Sequence, residues 1–309
     1  MRHAIIGLAA ATCLAATPAL SQTSWDMATP YPEAEFHTQN IREFVSDIEE
    51  KTDGELEITV HSGQSLFKHP EIKRAVQTNL VPMGEILMSN LLNENPIFGA
   101  DALPFLATSY DEAETLWEVQ RPMVEALLAE DGIRLLYAVP WPGQGFYTAE
   151  PIETAADMEG LKFRTYNAAT ARMAELLGAT PTIVEAVEIP QAFSTGIVDA
   201  MVTSAATGVR TKAWDFADHF YDLRAWMPKN MIVVNERAFS RLPEAQREAI
   251  LEAAAAAEER GWRMSEEVTE ETTATLAENM EVHEPSPAFL AEVQAVGEQM
   301  ASEWAETAG

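Results

Sequence analysis

The sequence predicts an α/β protein in two lobes, and three observations carry that expectation. Short apolar strands alternate with polar-capped helical stretches along most of the 309 residues. A helix–turn–strand signature in the first half returns in the second. Pro243–Met280 is rich in Ala and Glu and reads as one helix of roughly 50 Å at ~1.5 Å per residue, longer than a single lobe.

The start reads as a secretory signal. Arg2 and His3 precede the uncharged Ala4–Ala16, and Ala19-Leu20-Ser21 offers small residues for cleavage. Residues 1–21 are therefore expected to be removed, leaving Gln22 first and placing the protein in the periplasm. The apolar run falls short of the ~20 residues a membrane helix needs, and no later stretch reaches that length, so no stable membrane insertion is expected. Cys13 is the only cysteine, which removes disulfides, thiolate metal sites and cysteine nucleophiles from the exported chain. The roughly 285 residues that remain suit two domains of ~100–200 residues each.

Ser24–Ala28 is the first expected strand. Thr38-Gln39-Asn40 gives a polar start to a helix over Ile41–Lys51, which Thr52-Asp53-Gly54 ends, and Leu56–His61 alternates as a strand. A helix around Pro70–Thr78 and a strand near Val81–Met88 follow. Leu103–Leu106 is a hydrophobic turn. Ser109, with Glu112 three residues on, opens a helix running to Leu128, and Arg134–Val139 is the next strand.

The second unit begins after Pro140. Thr154–Asp157 caps a short helix closed by Gly160, Leu161–Thr165 is a strand, and Ala168–Leu177 is a helix ending at Gly178. Glu188–Thr195 ends at Gly196 and feeds a strand, Ile197–Thr203. The long helix, with Gly261-Trp262 as a possible bend, leads to a last helix over Ser286–Trp304. This order predicts a first lobe from 22–140 plus 230–262, a second from 141–229 plus 281–309, and a helix over 243–280 spanning both. Glu71–Val81 lines up with Glu188–Val198: Glu, Ile, Ala, Thr and Val recur, and Asn79 stands where Gly196 stands. Both of those residue types tolerate the left-handed backbone that ends a helix.

The chain carries 49 Asp+Glu against 20 Lys+Arg, a formal charge of −29, which argues against nucleic acid and anionic membranes as partners. Against that field Arg164 stands at the carboxyl end of an apolar strand. A guanidinium is always charged and offers a planar fork that matches a carboxylate, so a small organic acid is the expected guest. Phe36, Trp141 and Trp226, with Phe146 and Tyr147, are the aromatics nearest the cleft loops; Trp141 and Trp226 lie in Pro-flanked connections between the lobes. An aromatic wall with one arginine suits an aromatic or 2-oxo monocarboxylate, with a C4-dicarboxylate or sugar acid as the alternative. His37 would either hydrogen-bond the ligand or serve structurally. Glu85 would face the cleft or orient Arg164, or else lie on a solvated edge.

Enzymatic readings find little support. HExxH, GxSxG and P-loop patterns are absent, and Gly143-Gln144-Gly145 lacks the third glycine of a dinucleotide loop. A secreted hydrolase working in the interlobe cleft remains the alternative; no spacing among His37, Asp101 and nearby serines points to a triad.

Four segments together carry a family resemblance: Ala102-Leu103-Pro104-Phe105-Leu106, Asp157–Arg164 in a D-x-x-G-x-K-x-R pattern, Leu177-Gly178-Ala179-Thr180-Pro181, and Glu188–Asp199 with its S-T-G-I-V-D core. The chain resembles the solute-binding proteins of tripartite ATP-independent periplasmic (TRAP) transporters, the DctP family, over essentially its whole exported length. The resemblance implies a periplasmic-binding-protein-like fold, two α/β lobes with a hinge and a long helix spanning both, closing over an acid and docking on a cognate membrane permease. It places the carboxylate-binding arginine on Arg164, a neighbouring polar contact on Asn167, a further contact on Thr203 with Ser204 beside it, and an N-terminal contact loop on Glu35, Phe36 and His37. Members binding acidic sugars carry a second arginine near the place of Gln144. Metal-using members place Glu and aromatic residues where Val202, Thr203 and Ser204 stand, so neither a metal nor another cofactor is expected.

Overall fold

A computed structural model describes residues 22–309, and the expected signal peptide lies outside the described residues. The first half runs β1 (Thr23–Ala28), α1 (Phe36–Lys51), β2 (Leu56–His61), α2 (Ile72–Gln77), β3 (Met83–Leu87), α3 (Tyr110–Glu130) and β4 (Ile133–Pro140). The second half continues with β5 (Gln144–Thr148), β6 (Lys162–Thr165), α4 (Ala168–Leu176), β7 (Thr180–Ile183), α5 (Ile189–Ser194), β8 (Ala200–Ser204), α6 (Ala205–Thr211) and β9 (His219–Tyr221). Last come β10 (Lys229–Asn235), α7 (Glu236–Ser240), α8 (Glu244–Asn279), β11 (Glu281–His283) and α9 (Pro287–Ala308).

Two sheets result. The first has the order β2-β1-β3-β10-β4 and the second β11-β9-β5-β8-β6-β7. β1 pairs parallel with β2 and β3, while β10 returns from the second half to pair antiparallel with β3 and β4. The links β4–β5 and β9–β10 therefore both cross between the sheets, and residues along them are well placed to line a cleft.

Period-2 alternation sorts side chains to the two faces of each sheet. Phe146 and Val202 face a core with Phe163 and Phe289, while their strand neighbours Tyr147 and Met201 face another with Phe220 and Leu276. In the first sheet Met27 and Tyr137 pack with Phe44, Ile250 and Ala253, whereas Met231 and Val233 pack with Val76 and Leu128. Ile250 and Leu276, both on α8, thus lie in cores on different sheets. The long helix spans the two lobes.

Several boundaries differ from expectation for identifiable reasons. α1 starts at Phe36, because Thr38 and Asn40 face inward and bond to Tyr31 O (3.4 Å) and Ala257 O (2.9 Å) instead of capping. β8 starts at Ala200, because Ile197 N and Val198 N are used to close α5 on Ala192 O. Gly143 and Gln144 do not form a loop of their own: Gln144 is the first residue of β5. α8 runs unbroken through Gly261, where a Cβ would stand 2.4 Å from Val139 Cγ2 and 2.7 Å from Asn40 Nδ2. The glycine there permits close packing. Ala102 and Leu103 sit in the core of the second sheet although they fall within the stretch expected in the first lobe.

The internal echo has a structural counterpart. Leu80 N bonds Ala75 O at 2.8 Å and Ile197 N bonds Ala192 O at 2.9 Å, each around a left-handed residue, Asn79 (φ 55°) and Gly196 (φ 68°). The Thr78 and Thr195 hydroxyls donate to Arg74 O (2.7 Å) and Gln191 O (2.8 Å). The same helix-stop chemistry is written twice.

Candidate functional site

Between the sheets lies a small cavity. Tyr31, His69, Leu87 and Trp141 form one wall, and Arg164, Tyr166, Glu185, Thr203, Ser204 and Thr207 form the other, with Gln144 and Pro228 at the crossing strands.

Arg164 is the central feature. β6 lies between β8 and the edge strand β7, so Arg164 near its carboxyl end is flanked by strands on both sides. There Nε donates to Val184 O (2.9 Å) and Nη1 to Val202 O (3.0 Å), which fixes the plane of the guanidinium. The Tyr166 ring lies 5.3 Å from its Cζ. Nη2 makes no hydrogen bond among the described residues, and no described acid forms an ion pair with the side chain. Yet Arg164 is only 2% exposed. Burial pulls its pKa down to about 10, against the opposing influence of Tyr166, Glu185 and Tyr31. A buried cation, oriented and lacking a counter-ion, is a receptor for an anion of matching geometry.

The polar surroundings are also fixed. Trp226 Nε1 donates to the Tyr166 hydroxyl (2.9 Å), which donates to Gln144 Oε1 (3.4 Å), while Gln144 Nε2 donates to Pro142 O (2.8 Å). Ser204 Oγ caps α6 by accepting from Thr207 N (3.2 Å). The Thr203 hydroxyl makes no hydrogen bond among the described residues and lines the cavity.

Of the residues singled out in the sequence, Arg164, Gln144, Trp141, Thr203 and Ser204 come together on the cavity. Trp226 does not line it; the indole braces Tyr166 from behind. Asn167 caps α4 by accepting from Thr170 N (2.9 Å), and its Nδ2 reaches Ser89 Oγ (2.8 Å), so both ends of the amide are engaged away from the cavity. Phe36 and His37 form a layer behind Trp141, with ring centroids 5.6 and 4.3 Å from the indole. Burial pushes His37 well below the usual histidine range, which leaves it neutral. Glu85 is fully buried, which rules out a solvated edge, and it is neither among the residues lining the cavity nor hydrogen-bonded to Arg164. It accepts from the Thr29 hydroxyl and from Asn230 Nδ2 (2.7 Å), whose Oδ1 in turn accepts from Trp141 Nε1 (3.0 Å). Burial raises Glu85 to about 7. Phe146 and Tyr147 belong to the sheet cores.

Sequence reasoning missed Tyr31, His69, Tyr166, Glu185 and Thr207. Tyr166 had a signal, since it stands two residues beyond Arg164 and so on the same side of the extended chain. Tyr31 also had one, in the stiff Pro30-Tyr31-Pro32 corner. His69 and Glu185 had none: they meet across the cleft, His69 Nδ1 to Glu185 Oε2 at 3.2 Å. His69 Nε2 lies 3.4 Å from both Leu87 N and Asn90 Nδ2. Burial acts to raise Glu185, but His69 and Arg164 outweigh it and hold the carboxyl below its ordinary value. A second bridge joins Arg210 Nε to Glu35 Oε2 (2.7 Å).

Solved proteins of the same architecture are close to this chain. One is a Bordetella pertussis extracytoplasmic solute receptor that binds pyroglutamic acid; it is 47% identical, covers 93% of this chain and 96% of its own, and superposes with a TM-score of 0.92. A second is a marine metagenome TRAP solute-binding protein specific for pyroglutamate, 40% identical over 94% of this chain and 95% of its own, with a TM-score of 0.91. A solute-binding protein of Chromohalobacter salexigens is 24% identical over 98% of this chain and 91% of its own. All three are solute receptors or solute-binding proteins. An oriented, uncompensated arginine between two α/β lobes is what such a receptor needs, and the family profile spans residues 27–307: the chain belongs to the bacterial extracellular solute-binding proteins, family 7, the receptors of TRAP transporters.

Proposed function

We propose that this protein is a periplasmic receptor for pyroglutamate that delivers it to a cognate TRAP permease without chemical change. The observation carrying the proposal is Arg164, which lines a small cavity while its Nη2 makes no hydrogen bond or ion pair among the described residues. Pyroglutamate is a compact ring with one carboxylate, one lactam N–H and one lactam C=O. Its carboxylate pairs with Arg164, and its ring lies against Trp141, Tyr31 and Tyr166. The Thr203, Ser204 and Thr207 hydroxyls and the Glu185 carboxylate supply the donors and acceptors that a lactam requires. Support also comes from the 40–47% identity to receptors that bind this compound.

Aromatic and 2-oxo monocarboxylates share the carboxylate but lack the lactam pair. C4-dicarboxylates and sugar acids bring extra anionic or hydroxyl groups, and the lining holds no second guanidinium. Calorimetry on the protein from Gln22 onward, with L-pyroglutamate, proline, benzoate, a 2-oxo acid, succinate and glucuronate, tests the choice. Pyroglutamate is expected to bind at least a hundredfold tighter than the others. Tighter binding of any of them, or silence with pyroglutamate, would sink the proposal.

A further inference from the structure

We propose that His219, Glu281 and His283 form a zinc-type metal site at the outer edge of the second sheet, independent of the organic-acid cavity. β9 and β11 pair in parallel, with His219 opposite Glu281 and Tyr221 opposite His283. Residues two apart on a strand share a face, so both histidines, Glu281 and Tyr221 lie on one side of this ladder.

Three potential ligand atoms converge there. His219 Nδ1 and His283 Nε2 are 3.0 Å apart, and Glu281 Oε2 lies 3.5 Å from each. Donors held ~2.0–2.1 Å from a tetrahedral Zn²⁺ stand about 3.4 Å from one another. The observed triangle matches one face of that tetrahedron with little adjustment. Two imidazoles and a carboxylate are a donor set suited to Zn²⁺, not to the oxygen-seeking Ca²⁺ or Mg²⁺.

The surroundings hold the ligands in place. The Tyr221 ring stacks on His283 (4.9 Å, 25°), and its hydroxyl is fixed by the Ile152 amide at 2.6 Å. His219 is 8% exposed, whereas Glu281 stands in solvent, leaving the fourth position to water. Such a site would also have a task. β11 is a three-residue edge strand joining α8 to α9, and a metal would pin it to β9. Without a metal, the same triad would be an ordinary imidazole–imidazole hydrogen bond beside a carboxylate.

The test uses metal-stripped protein from Gln22 onward. Zn²⁺ at a hundredfold excess over its Kd should raise the melting temperature by about 5 °C, and equal Ca²⁺ or Mg²⁺ should not. Co²⁺ should give the intense visible absorption of a tetrahedral ion. His283→Ala should lower Zn²⁺ affinity at least a hundredfold and Glu281→Gln about tenfold, with pyroglutamate binding unchanged. His283→Gln serves if the alanine variant folds poorly. His61→Ala, altering the separate His61–Asp26 pair, should bind Zn²⁺ as the wild type does. Absence of Zn²⁺ binding, a weak octahedral Co²⁺ spectrum, or unchanged binding in both His283 variants would overturn the site.

Discussion

Replacing Arg164 with alanine should separate affinity from stability. A carboxylate on the free edge of the guanidinium makes two charge-assisted hydrogen bonds at ~1.5–3 kcal/mol each. Their loss amounts to about 3–6 kcal/mol, or roughly a 10²–10⁴-fold rise in Kd for pyroglutamate. Stability of the empty protein should respond differently. The fall of Arg164 from its ordinary 12.5 to about 10 corresponds to about 3 kcal/mol of unfavourable burial, which the alanine relieves. Against that, Val184 O and Val202 O lose their donors, at ~1–3 kcal/mol each. The two effects nearly cancel, so the ligand-free melt should move by only a few degrees while the ligand-induced shift disappears. Arg164→Lys, which keeps the charge and loses the fork, should fall between. Calorimetry paired with thermal melts reads both quantities. An alanine variant that melts normally and binds pyroglutamate within tenfold of the wild type would refute the assignment.

Three further outcomes are expected. Gly261→Ala would place a Cβ against Val139 and Asn40; overpacking of ~1–3 kcal/mol outweighs the ~1 kcal/mol alanine normally contributes to a helix, and urea melts should show a net loss with ligand affinity retained. Glu85 is raised by burial from 4.5 to about 7, so its contribution is fully present below pH ~4.5 and is lost as pH climbs through ~7. Stability should therefore drop by about 3 kcal/mol between pH 5 and 8, and Glu85→Gln should flatten that profile; an equally steep profile in the variant would point elsewhere. Arg210→Ala leaves the buried Glu35 without its partner across the cleft, which should weaken pyroglutamate ten- to hundredfold in calorimetry although Arg210 does not line the cavity.

How much of this was readable from residues alone depends on how local each signal was. Ser109 as a cap, the Gly178 and Gly196 helix stops, and the strand with Arg164 at its end all rest on neighbours within a few positions, and those elements appear where the residues place them. No strand is expected over β10, although residues 230–262 are assigned to the first lobe. Lys229-Asn230-Met231-Ile232-Val233-Val234-Asn235 leaves the second half to complete the first sheet, a pairing with β3 and β4 set by contacts about 90–150 positions away along the chain. The site divides in the same way. Arg164 stood out because it is the buried cation of its strand, whereas Lys162 two positions earlier is exposed and pairs with Asp199. The His69–Glu185 contact spans 116 positions and has no local trace. The burial of Glu85 had no local trace either, because the Thr29 and Asn230 partners that satisfy it inside the core are 56 and 145 positions away.

The charge arrangement suggests how binding and closure are coupled. His69–Glu185, Arg210–Glu35 and Asn167–Ser89 all bridge the lobes, and partly buried contacts of this kind contribute ~1 kcal/mol each. Their sum is comparable with the ~3 kcal/mol that burying an unpaired Arg164 works against the closed form. Parting the lobes would release both terms, since the bridges would break as water reached the guanidinium. If parting the lobes returned Arg164 fully to water, closure of the empty protein would be near balance. A carboxylate seated on Arg164 removes the unfavourable term only when the cavity is shut, so its binding energy falls on the closed state and shifts the population there. A neutral amide of the same ring would fill the space and leave that term standing. On this argument the charge of the ligand, more than its bulk, sets how far the lobes close.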